Sequence, residues 1–178
     1  MKKFFLVAMT VLAVFMLASC ASSKGAAGSA DDEWWNNPPA DTADYHFEVG
    51  YAEGSTVMTS RDWAKANANT ALAQYVSNSI EAIVTTYVND AGEASKEANN
   101  MQALQAFESL SKQTATGVLS GVTYKYHDTE KGCFVLAALP IGAFADELKA
   151  NVTEAFKRNK AAETANNLMN AAIDKYFN

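Results

Sequence analysis

The chain has 178 residues, 49% hydrophobic and 19% charged, a balance that places it with globular proteins and excludes intrinsic disorder along most of its length. Fourteen basic residues face twenty acidic ones, and setting aside Lys2 and Lys3 at the N-terminus leaves 12 against 20, a net charge of −8. An acidic domain without a basic stripe cannot hold nucleic acid or anionic lipid headgroups by electrostatics, so neither is expected as a partner.

The N-terminus divides into Lys2 and Lys3, an apolar run from Phe4 to about Leu17, and the small residues Ala18 and Ser19. This is the grammar of an export signal. The apolar run is shorter than the roughly 20 residues needed to span a hydrocarbon core, so it is expected to be a cleaved leader. Leu17-Ala18-Ser19-Cys20 resembles the bacterial lipobox at all four positions. That resemblance implies a diacylglyceryl group on the Cys20 sulfur, cleavage between Ser19 and Cys20, and a membrane partner reached through covalent lipid. Ala21 and Ser22 follow, and the lack of aspartate there resembles an outer-membrane address. Residues 1–19 are thus expected as leader and 20–33 as lipidated cysteine and tether, because the Ala, Ser and Gly of 21–30 cannot bury enough surface to order themselves.

Residues 34–178 are expected to form one α+β domain ending in a helix. Trp34 and Trp35 precede Pro38 and Pro39, and two large rings beside a stiff segment are expected to dock the incoming chain or to meet a membrane or partner. From Tyr45 to Tyr51 the residues alternate, with Tyr45, Phe47, Val49 and Tyr51 on one face and His46 and Glu48 on the other, which predicts a half-buried strand. Glu53-Gly54-Ser55-Thr56 offers a helix start. Leu72, Val76, Ile80, Ile83 and Tyr87 then recur at helical spacing within a helix predicted from about Thr59 to Asn89, with Asn89-Asp90-Ala91-Gly92 as its end. A weaker helical stripe follows at Met101, Leu104, Phe107 and Leu110, which Gly117 is expected to break.

Val118 to Tyr126 reads as a strand with Val122, Tyr124 and Tyr126 on one face, and Cys133 to Leu139 as another, joined by the polar residues 127–132 in an antiparallel hairpin. Pro140 ends the second strand. The last helical pattern runs from Ile141 through Phe144, Leu148, Val152 and Phe156, is interrupted at Lys157-Arg158-Asn159-Lys160, and resumes from Ala161 through Tyr176. The expected fold class is α+β: a small antiparallel sheet of one strand plus a hairpin, packed by two or three long helices.

Phe47-Glu-Val-Gly-Tyr-Ala-Glu-Gly-Ser-Thr56, the alanine-rich Ala64 to Ala73, Gly117-Val-Leu-Ser-Gly-Val122 and the hairpin Tyr124 to Leu139 together resemble the Lpp-twenty-like family of small envelope lipoproteins. The resemblance covers about two thirds of the mature chain. It implies an envelope lipoprotein, often outer-membrane or surface-exposed, without enzymatic activity.

Chemistry is sparse. His46 and His127 are the two histidines, and neither nucleophile signatures nor glycine-rich phosphate loops occur. His127, Asp128 and Glu130 share the proposed hairpin loop and can be drawn as a metal site, but polar residues are expected in an exposed turn. With Cys20 lipidated, Cys133 has no intramolecular disulfide partner and reads as a small buried hydrophobe. No catalytic residue, metal or cofactor is therefore expected. The candidate contact residues are Trp34, Trp35, Tyr124 and Tyr126, for an envelope protein partner or, alternatively, for peptidoglycan or a small ligand.

Overall fold

The computed structural model describes residues 33–96, 98–118, 121–158 and 163–177. The leader, Ser19, Cys20 and the tether up to residue 32 lie outside the described residues, and the fold concerns the unit Trp35–Asn178.

Strand β1 spans Tyr45–Ala52 and is followed by helix α1, Val57–Ala91. Thr56 caps the helix by accepting the Thr59 N–H on its hydroxyl at 3.1 Å. At the other end Gly92 takes φ +53°, and its N–H donates to the Val88 carbonyl, which is the left-handed stop that glycine supplies. The buried row of α1 is Ser60, Ala64, Ala68, Leu72, Val76, Ser79, Ile80, Ile83 and Tyr87, so all five large residues of the expected stripe face the core.

A short 3-10 turn, Gly92–Lys96, leads into α2, Ala98–Val118. Two expectations are corrected here. The helix ends at Val118, one residue past Gly117, and the strand β2 occupies Thr123–Asp128 rather than 118–126. Met101 is half exposed, because the buried row is Asn100, Ala103, Phe107 and Ser111; Phe107 of the expected stripe is buried, and Leu104 and Leu110 are partly buried against the core. The Asn151 amide donates to the Ser111 hydroxyl at 3.4 Å, a buried polar contact that lets small polar residues sit where α2 crosses the next helix.

Strand β3, Cys133–Pro140, pairs antiparallel with both others, giving the order β1-β3-β2. The hairpin connection is residues 129–132 rather than 127–132. It is closed by the Thr129 N–H and hydroxyl on the Gly132 carbonyl. Helix α3, Ile141–Arg158, leaves β3 directly, and α4, Glu163–Phe177, follows. The last residues pack on the domain: Ala165, Met169, Ala172 and Ile173 are buried, and the Tyr176 hydroxyl donates to Ser79 of α1 at 3.1 Å. The fold is α+β, with four helices and a three-stranded antiparallel sheet among the described residues.

Among the described residues the row Cys133, Val135, Ala137 and Leu139 of β3 is buried and Tyr124 of β2 reaches Asn69 of α1, and α1 comes very close to β1. A Cβ on Gly50 would stand 2.1 Å from the Ala64 carbonyl oxygen, so glycine is the residue that permits this approach. The inward row of β1 is His46, Glu48, Gly50 and Ala52, and the close approach to α1 falls at Gly50. The aromatic row Tyr45, Phe47, Val49 and Tyr51 therefore points away from the helices, against the usual apolar-in pattern of a one-sided sheet.

Candidate functional site

The register fixes which side chains share the outer face. Tyr45, Phe47, Val49 and Tyr51 stand opposite Pro140, Ala138, Leu136 and Phe134, and on the far strand Thr123, Lys125 and His127 stand opposite Ala138, Leu136 and Phe134. Ring contacts form two groups on this face: at one end Tyr51 and Phe134 are 4.5 Å apart between centroids and His127 and Phe134 6.5 Å, and at the other Tyr45 and Phe47 are 6.1 Å apart. Tyr45 and Tyr51 are about two-fifths exposed, and the Tyr51 hydroxyl donates to Glu53 at 2.9 Å.

The incoming chain is fastened to this face at two points. Trp35 stacks flat on His127 with 3.5 Å between centroids and 2° between planes. Six residues later, the Asp41 carboxylate accepts the Phe47 N–H at 3.0 Å, and Thr42 accepts from the Tyr45 N–H at 3.0 Å. The strap 35–41 thus passes from β2 on one side of the sheet to β1 on the other. Those same bonds occupy outward groups at the start of the β1 edge, and the Asn67 amide, by donating to the Tyr51 carbonyl at 2.8 Å, occupies another near its end.

A second feature lies where β1, α1, α3 and α4 meet. His46 is buried, stacks on Tyr75 at 3.6 Å, and sits between two carboxylates: Nδ1 lies 2.7 Å from Asp41 and Nε2 3.2 Å from Glu48. It borders a cleft of roughly 200 Å³ lined by Asp41, Tyr45, Tyr75, Ile141, Tyr176 and Phe177 among others. Burial pushes the Tyr75 phenol above its usual value, so this ring is a neutral donor at the cleft wall. Both nitrogens of His46 are engaged by carboxylates, which leaves neither ring atom aimed at a reacting group in the cleft.

The residues expected to form one contact site separate. Trp35 lies on the outer face. Tyr124 and Tyr126 project from the opposite face of β2 toward α1, where the Tyr124 hydroxyl donates to Asn69 at 2.7 Å under Lys65 and Tyr126 lies beneath the Arg61 guanidinium. Trp34 is partly buried, and its position concerns the unit preceding Trp35.

His127 and Asp128 occupy β2 instead of the hairpin loop, and successive strand residues face opposite sides, so the drawn metal set is not assembled. Among the described residues no group of three or more His, Cys, Asp and Glu side chains is arranged to hold a metal. Asp128 instead forms a forked salt bridge with Arg61 of α1, and the guanidinium holds its carboxyl below the usual aspartate value. Cys133 is a buried free thiol, raised to about 11 chiefly by burial.

The Asp41–His46–Glu48 cluster and the Arg61–Asp128 pair were not foreseen. His46 and Glu48 at i and i+2 share a strand face, a signal the sequence does carry. The 67-residue separation of Arg61 from Asp128 left no signal at all. Among the described residues, no helix is long and apolar enough to cross a membrane. No protein-family model, curated protein or solved structure matches this chain.

Proposed function

We propose that the chain is a non-catalytic lipoprotein of the bacterial cell envelope. It is exported by its leader, cut between Ser19 and Cys20, held by acyl chains on Cys20 in the outer membrane, and displays its α+β domain to another envelope protein. The resemblance to the Lpp-twenty-like lipoproteins belongs to this proposal. The observation that carries it is the complete Leu17-Ala18-Ser19-Cys20 motif between an apolar run and a Gly/Ser/Ala tether. Two or three acyl chains, at about 0.8 kcal/mol per buried methylene, make release from a bilayer very slow. An anchored module meets other anchored components at high local concentration, so a modest interface suffices.

The test is processing and partner capture in cells. Wild-type protein should yield an N-terminal peptide beginning at Cys20 and carrying acyl mass, whereas Cys20→Ala should accumulate as uncleaved or misplaced precursor. A wild-type N-terminus without acyl chains refutes the anchor. Crosslinking in intact cells should recover a protein partner.

The cleft beside His46 favours a second reading, a small-ligand or glycan-binding module. Its volume lies below the 300 Å³ at which drug-sized pockets begin, so it would take a small polar group against Asp41 and Tyr75. Glycan fragments that shift the NMR signals of His46 and Tyr75 in wild-type protein, but not in Asp41→Ala, would establish that reading over the first.

A further inference from the structure

We propose that the outer face of the sheet, framed by Trp35, Tyr45, Phe47, Tyr51 and Phe134, lies against the headgroup–acyl boundary of the membrane that holds the chain. The domain then rides face-down on a neutral bilayer instead of swinging free. The inference rests on lipidation of Cys20, and three observations carry it further.

The first is where the tether arrives. Fourteen residues lie between Cys20 and Trp35, a contour of at most about 50 Å. That chain delivers itself onto this face: Trp35 is stacked on His127, and the strap fastens at Asp41 on the opposite strand. The described chain therefore enters the domain at the outer sheet face and not at the helical layer.

The second is the kind of side chain. Tyrosine and tryptophan are enriched where bilayers meet water because each joins a large apolar ring to a polar tip. Here the rings of Tyr45 and Tyr51 flank Phe47, Val49 and Phe134, with both hydroxyls at the rim, and the Tyr51 hydroxyl donates to Glu53 at 2.9 Å.

The third is charge. In a chain with twenty acidic residues, the outward positions of all three strands hold no aspartate or glutamate, while Lys125 and His127 are both there. Desolvating a carboxylate against lipid is costly, and the acidic group nearest this face, Glu53, stands just past the end of β1 at its rim, on the Tyr51 hydroxyl. The overall negative charge selects zwitterionic over anionic lipid.

Depth-resolved fluorescence tests the orientation. The full lipidated protein is reconstituted in phosphatidylcholine vesicles whose acyl chains carry bromine, in two variants that each keep one tryptophan. W34F/W63F reports Trp35, and W34F/W35F reports Trp63, which is 56% exposed on α1. Brominated lipid should quench Trp35 and leave Trp63 at its emission in unbrominated vesicles. Adding Tyr45→Ser and Tyr51→Ser to the Trp35 reporter should remove the quenching while the protein still floats with vesicles and keeps its circular dichroism.

Unquenched Trp35 in protein whose acyl chains are confirmed by mass spectrometry overturns the orientation and leaves the lipoprotein reading standing. Equal quenching of both tryptophans overturns it likewise. So does a photocrosslinker at position 45 that captures a protein in cells instead of phospholipid. Protein without acyl chains overturns both readings together.

Discussion

Replacing Gly50 by alanine isolates the contact that decides the sidedness of this fold. The added Cβ would stand 2.1 Å from the Ala64 carbonyl oxygen and 2.6 Å from the Ala68 backbone nitrogen. Comfortable contact begins near 3.5 Å, so β1 and α1 must part by more than about 1 Å. Both obstacles are helix backbone, which cannot swing aside as a side-chain tip can. Overpacking a core commonly costs about 1–3 kcal/mol, and separation here also loosens Ala64, Ala68 and Leu72. We expect a loss of about 3 kcal/mol, or roughly 6–12 °C in Tm for a domain of this size. The assay is urea unfolding of the purified chain followed by circular dichroism, with Gly142→Ala as control. A Cβ at Gly142, near the start of α3, meets nothing within 4 Å, and that change should be neutral or stabilise by up to about 1 kcal/mol. Gly50→Ala within about 0.5 kcal/mol of wild type at an unchanged m-value would refute the close-approach argument.

Thr56→Ala removes the N-cap of α1 and should cost about 1 kcal/mol in the same unfolding assay. The Cys133 thiol, raised to about 11, should react with a thiol reagent at pH 8 at least about tenfold more slowly than free cysteine, and become as fast once the chain is unfolded in urea. Asp128 is held below the ordinary aspartate value by Arg61, so it binds fewer protons folded than unfolded. Its contribution is complete above the unfolded aspartate value and disappears as pH falls through the lower folded one. In Arg61→Gln the Asp128 titration followed by NMR should move upward, and the Tm difference from wild type should vanish at the acid end. Leu72→Ala, at a fully buried position of α1, should lose about 2–5 kcal/mol.

Much of this architecture was legible because it rests on local periodicity. The apolar row of α1 repeats often enough that Leu72, Val76, Ile80, Ile83 and Tyr87 fix both the element and its buried side. The hairpin was readable from a continuous apolar strand after a polar, glycine-ended turn. Errors arose where small residues decide packing. Along α2 the buried row is Asn100, Ala103, Phe107 and Ser111, and hydrophobicity pointed to Met101 instead. The candidate site was harder still. Alternation identified β1 as a strand, but its sidedness depends on Gly50 meeting Ala64 and Ala68, a tertiary contact that no strand pattern announces. His127 likewise gained its place only because β2 extends two residues further than its aromatic residues suggested.

The inverted face of β1 also bears on how the two sides of the sheet can be satisfied. Strand β3 is apolar throughout, from Cys133 to Pro140, as in strands covered on both sides, yet the helices cover only the row Cys133, Val135, Ala137 and Leu139. On the other side Leu136 is nonetheless 7% exposed, whereas Phe134 and Ala138 remain partly open. Cover there has to come from neighbouring strands and from the strap that runs between Trp35 and Asp41. Pro38 and Pro39 in that strap have no N–H to offer a sheet, so it cannot close the face as a fourth strand would. A face left in this condition in water would keep aromatic rings wet. In the proposed orientation the same rings and hydroxyls would meet a bilayer interface, an environment matched to both.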